Sequence, residues 1–119
     1  MTDSENSWAE FVEQTRASAD AGDLDAQVNL GRMYADGRGV AQDDTEAARC
    51  YRLAADQGHA DAQYNLGVMY ADGRGVAQGY TQAVRYFNWA ADQGHADAQY
   101  NLGKMYANGR GGPQDHTES

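Results

Sequence analysis

Cysteine occurs once, at Cys50, so no disulfide can close within the chain. The expected place of a lone thiol of this kind is a small buried position on a helix. Basic residues are scarce as well: nine Lys and Arg stand against 18 Asp and Glu, for a net charge of -9. That balance disfavours nucleic acid and anionic membrane surfaces, because phosphate binding needs clustered cations. An acidic surface without long like-charge runs instead favours a basic protein partner. No stretch approaches the roughly 18 apolar residues that span a bilayer. Thr2-Asp3-Ser4-Glu5-Asn6 offers neither the basic nor the apolar segment of a secretory leader, so the chain as it stands is expected in the cytoplasm.

The constellations of catalysis are missing too. His59 and His95 share a phase, with no Cys or second His one helical turn away to complete a zinc site. Gly37-Arg38-Gly39, Gly73-Arg74-Gly75 and Gly109-Arg110-Gly111 lack the Gly-Lys-Ser/Thr of a phosphate loop and follow no strand. Their glycines are expected in turns of positive φ, and their arginines against an Asp of an adjacent loop. Asp72-Gly73-Arg74-Gly75 does not alternate oxygen ligands as a calcium loop does. There is no Gly-x-Ser-x-Gly nucleophile motif. The expectation is a protein without catalytic residues, metal or cofactor.

What the chain has is repetition. Ala55 to Gln78 returns 36 residues later as Ala91 to Gln114 with four of its 24 positions changed. A more diverged copy, Ala19 to Gln42, keeps Gly31, Met33, Tyr34, Gly37, Arg38 and Gly39 in the same phase. A period of this length marks a solenoid, in which no unit buries its apolar face without a neighbour.

Each unit carries two helical patterns. In the first, helix A, Ala62, Leu66, Met69 and Tyr70 fall on one face. His59 or Ala60 starts it, Asp61 lies in its first turn, and Gly73 ends it. Asp23 takes the place of His59 in the first copy and is the better N-cap. In the second pattern, helix B, small residues flank one aromatic: Ala47, Ala48, Tyr51, Ala54 and Ala55, then Ala83, Val84, Phe87, Ala90 and Ala91. Such a face lets two helices approach closely. Asp43 to Glu46 has the form of a capping box, Gly79 to Gln82 a weaker one. Gly58 and Gly94 close the B helices with short turns, so neighbours run antiparallel. Residues 7–21 align with helix B, placing Phe11 on Ala47, Val12 on Ala48 and Ala19 on Ala55.

The sequence therefore predicts an all-α protein of six helices in the order B-A-B-A-B-A. A half-repeat helix spans 7–22, followed by repeats at 23–58 and 59–94, an incomplete repeat at 95–112, and a flexible tail at 113–119. The third A helix ends near Ala107, with its far side left for something else to cover.

The pattern Ala62, Leu66, Gly67, Met69, Tyr70, Gly73, Gly75 and Val76, continued by Ala83, Phe87, Ala90, Ala91 and Gly94, resembles the Sel1-like repeat, a longer-looped relative of the tetratricopeptide repeat. Gly112 and Pro113 depart from it, standing where the earlier loops have Val and Ala. The resemblance implies a right-handed α-solenoid with A helices lining a concave side and B helices outside, working as an adaptor or scaffold. By the same similarity, four rows of residues face the groove: Val28/Tyr64/Tyr100, Asn29/Asn65/Asn101, Arg32/Val68/Lys104 and Asp36/Asp72/Asn108. The expected function is non-catalytic binding of a peptide or helix of a partner protein. Self-association through the uncovered last helix, and binding of a cell-wall-related ligand, are the alternatives the sequence leaves standing.

Overall fold

The computed structural model describes residues 3–109, so the expected tail at 113–119 and the departures Gly112 and Pro113 lie outside the described residues. Six helices follow in order: α1 (Asp3–Asp20), α2 (Leu24–Asp36), α3 (Asp44–Ala55), α4 (Ala60–Asp72), α5 (Tyr80–Asp92) and α6 (Ala96–Ala107). α1, α3 and α5 are the B helices, and α2, α4 and α6 the A helices. The principal packing joins consecutive helices, and the array measures 57 × 24 × 20 Å. This is a solenoid. α1 begins four residues before the apolar pattern does, because residues 3–6 carry no apolar position for a period to mark.

The A helices start and stop as their end residues dictate. Asp23 Oδ1 accepts the Ala26 N–H at 3.1 Å, and His59 and His95 accept from Ala62 and Ala98 through Nδ1 at 3.3 and 3.1 Å. Gly37 and Gly73 end α2 and α4 with φ of 69° in both, a left-handed conformation that only glycine adopts without strain. The B helices differ from the expected capping box. Asp43 does accept the Glu46 N–H at 3.1 Å, but its own N–H donates to the Tyr34 carbonyl and Glu46 pairs with Arg49. Gly79 offers no side-chain cap, and its N–H donates to the Tyr70 carbonyl at 3.0 Å. These two bonds anchor each A-to-B loop onto the preceding A helix.

Three further ladders repeat along the array. Gln27, Gln63 and Gln99 donate through Nε2 to the carbonyls of Ala19, Ala55 and Ala91, satisfying acceptors at the ends of the B helices. Arg16 and Arg52 donate to the Tyr34 and Tyr70 hydroxyls at 3.2 and 2.6 Å. The caps His59 and His95 also reach back to the previous A helix, meeting Asp25 and Asp61 at 2.8 and 2.9 Å. Because Nδ1 accepts from the backbone, the ring hydrogen sits on Nε2 and donates to the carboxylate. One imidazole thus caps its own helix and ties it to the previous repeat.

The core is a stripe of alanines around the aromatics Tyr51 and Phe87, filled out by Leu30, Met33, Leu66 and Met69. Ala47, Ala54, Ala62, Ala83, Ala90 and Ala98 have no exposed surface, and Cys50 is buried as expected. Burial pushes the Cys50 thiol above its ordinary pKa. The closest approach is made by glycine: a Cβ on Gly31 would lie 2.7 Å from the Tyr51 ring, and one on Gly67 2.7 Å from the Phe87 ring. Gly103 holds the same place in α6 and meets nothing within 4 Å. Gly67→Ala should therefore destabilise the protein by about 1–3 kcal/mol through overpacking, whereas Gly103→Ala should stabilise it by about 0.5–1 kcal/mol through helix propensity alone. Urea unfolding of the two variants checks this, and equal effects would refute the packing account.

Candidate functional site

Stacking the A helices produces a row of three clefts built from equivalent positions one repeat apart. The first, about 310 Å³, is lined by Trp8 and Phe11 of α1, by Asn29, Arg32, Met33 and Asp36 of α2, and by Arg38. The second, about 300 Å³, brings Arg32, Ala35 and Asp36 together with Tyr51, Asn65, Val68, Met69 and Arg74. The third, about 350 Å³, joins Tyr64, Val68, Ala71 and Asp72 to Tyr80, Phe87, Asn101, Lys104, Met105 and Asn108. Arg32 and Asp36 belong to the first two clefts and Val68 to the last two, so the clefts are continuous. Their floors are aromatics together with Met33, Met69 and Met105, and their walls are mostly amides and charges.

Ten of the twelve residues in the expected rows line these clefts: Asn29, Arg32, Asp36, Tyr64, Asn65, Val68, Asp72, Asn101, Lys104 and Asn108. Val28, expected at the groove, is instead a core residue. It is only 3% exposed and packs in the core with Ala47, Ala48 and Tyr51. It faces the following repeat rather than the groove. Tyr64, in the same row, stacks on His95 with ring centroids 4.8 Å apart and accepts a long bond of 3.5 Å from Asn101 Nδ2. Tyr100 is 68% exposed, lines none of the three clefts, and lies under the Lys104 ammonium at 5.4 Å. The row thus grows more exposed along the chain as its covering neighbour changes.

Among the lining residues outside the expected rows are Trp8, Phe11, Arg38, Tyr51 and Arg74. The repeat itself signals the arginines, since each Gly-Arg-Gly loop returns in phase beside the end of an A helix. Gly37, Gly39, Gly73 and Gly75 all have φ between 69° and 76°, as the turn reading requires. A Cβ on Gly75 would strike the Asp44 backbone, so the loop lies directly against the start of α3. There Arg74 Nη2 donates to Asp44 Oδ1 at 3.1 Å, which raises the Arg74 pKa further. In the first repeat the place of Asp44 is taken by Trp8, whose ring lies 5.6 Å from that of Phe11.

Tyr51 closes the floor of the second cleft. Burial pushes its phenol up to about 12, with Arg32 and Arg74 opposing and Asp36 adding to the shift. A pKa raised by folding contributes stability that is complete below the unfolded value of about 10 and lost as pH rises toward about 12. Unfolding free energy measured at about pH 9 and about pH 11.5 should fall more for the native chain than for Tyr51→Phe. Parallel losses in both would show that this phenol is not the titrating group.

Among the described residues there is no cluster of His, Cys, Asp or Glu able to hold a metal ion, and no helix long and apolar enough to cross a membrane. A model of the Sel1 repeat matches residues 24–59, 60–95 and 96–119. Three solved structures are similar. A protective antigen of uropathogenic Escherichia coli displaying an SLR fold is 37% identical with a TM-score of 0.88 over 92% of this chain. This chain spans only 23% of that protein. A Sel1 repeat protein from Oxalobacter formigenes is 42% identical with a TM-score of 0.77, covering 87% of this chain and 78% of that one. Cysteine rich protein B of Helicobacter pylori is 27% identical with a TM-score of 0.74, covering 78% and 70%. No curated protein matches the sequence.

Proposed function

The chain belongs to the Sel1 repeat family, whose members generally mediate protein–protein interactions, and from that premise we propose that it is a non-catalytic adaptor binding an extended peptide segment of a partner along its A-helix face. The observation that carries this is the register of the three clefts. Equivalent positions of successive A helices form one continuous strip with apolar floors and polar walls. Asn29, Asn65 and Asn101 recur along it with amides able both to donate to and accept from a peptide backbone. Variation within the matching copies, at Arg32, Val68 and Lys104, gives each cleft its own side-chain preference. Rigid aromatic side chains in the floors add contact area at low entropic cost.

Tyr64 is a poor residue to remove as a test, because it supports His95 and hence the start of α6. Plugging the clefts is cleaner. Asn29→Trp fills the first cleft and Val68→Trp the second and third. Partners captured from the native lysate by the unaltered protein should be lost, with affinity down tenfold or more, when the groove is plugged and far-ultraviolet circular dichroism is unchanged. Retained partners with intact helicity would remove the groove from the function.

One observation favours a second reading, in which α6 receives a further helix. Gly103 repeats the seat that Gly31 and Gly67 offer to an aromatic, and Tyr106 is 47% exposed on the same helix. The occupant with matching chemistry has an aromatic at the Phe87 position and alanines at the Ala83 and Ala90 positions. α1 of a second copy lacks this pattern: Phe11 stands in the place of Ala47, and Thr15 in that of Tyr51. Sedimentation velocity should accordingly show a monomer at all concentrations, and a concentration-dependent dimer would contradict this assignment.

A further inference from the structure

Resting on the peptide-groove reading, we infer that the occupant is an acidic segment, whose carboxylate seats between Arg32 and Arg38 and whose apolar side chain lies on Trp8 and Phe11. Net charge alone points the other way, toward a basic partner, but the charge is not evenly placed. The three clefts take four of the nine basic residues, Arg32, Arg38, Arg74 and Lys104, and only two of the 18 acidic ones, Asp36 and Asp72. With Arg74 paired to Asp44, the cationic excess lies in the first cleft, where Arg32 and Arg38 face Asp36 alone on an otherwise anionic molecule. A field of this form attracts carboxylates locally while the rest of the surface repels them, so it selects position as well as sign.

The chain itself shows the interaction that the ligand would copy. In the second repeat the loop arginine, Arg74, is met by the Asp44 carboxylate at 3.1 Å. In the first repeat the same loop position is Arg38, and Trp8 replaces the aspartate. Neither Arg38 nor Arg32 makes an ion pair among the described residues. A partner carboxylate at Arg38 therefore plays the part that Asp44 plays at Arg74, with a guanidinium geometry suited to two-point contact. Trp8 and Phe11 are each almost half exposed beside it, at 45% and 47%, which places an apolar contact next to the charge. The recognised element is thus an Asp or Glu close in sequence to a large apolar residue in extended chain.

A random peptide library displayed on phage, selected on the full chain, tests this. Peptides are scored as groove binders when Asn29→Trp or Val68→Trp abolishes their binding. Those groove binders should be enriched in Asp and Glu over Lys and Arg relative to the library. Arg32→Glu combined with Arg38→Glu should weaken the best of them tenfold or more, and added salt should weaken binding to the unaltered protein. Groove binders rich in Lys and Arg, without charge bias, or indifferent to the arginine reversal would overturn the acidic partner while leaving the groove in place. An absence of plug-sensitive peptides would overturn the groove reading, and this inference with it.

Discussion

Everything in this array depends on how closely an A helix approaches the B helix that follows it. Gly31 against Tyr51 and Gly67 against Phe87 set that distance, because an aromatic ring occupies the space where a side chain would begin. Alanines with no exposed surface flank each ring. From this one approach follow the depth of the cleft floor, the reach of the histidine caps to the previous repeat, and the position of the loop glycines. Close packing of this kind tolerates no added methyl group and leaves little freedom in the angle between repeats. The groove is accordingly shaped from beneath, by glycines and alanines under the aromatic rings that form its floor.

Much of the fold was legible because the same residues recur three times in one phase. The helix order, the caps at Asp23, His59 and His95, and the ends at Gly37 and Gly73 all follow from local chemistry repeated at fixed spacing. What the period could not give was the depth of the neighbour. Val28 and Asn29 are adjacent in sequence but about 100° apart around the helix, so one is buried against the next helix and the other meets the groove. Val28 was misplaced for that reason. The glutamine ladder was missed although Gln27, Gln63 and Gln99 recur as faithfully as the glycines, because an amide on a helix has no apolar period to mark it. Trp8 and Phe11 escaped notice as groove residues because α1 departs from the repeat, and a departure reads as divergence until its neighbours are known.

The histidines show how a solenoid makes its repeats interdependent with few atoms. Each imidazole satisfies a backbone donor of its own helix through one nitrogen and a carboxylate of the preceding helix through the other. Asp23, at the head of the first A helix, performs only the first of these tasks. Position in the array, rather than helix type, therefore explains why the first copy carries a different cap. The arginine–tyrosine bonds follow the same logic on the other side of the array, where Asn88 stands in the place of Arg16 and Arg52.

Three nearly equivalent clefts in a row also create a problem of phase. A ligand whose own side chains recur at the spacing of the array would fit one repeat forward or back almost equally well, and so would slide along the strip like a misaligned ruler. The row Arg32, Val68 and Lys104 removes that degeneracy, because a side chain that suits one graduation meets a different one at the next. The pair Trp8 and Phe11 adds a fixed zero at one end. An array built by copying thus measures its ligand from a landmark that was never copied.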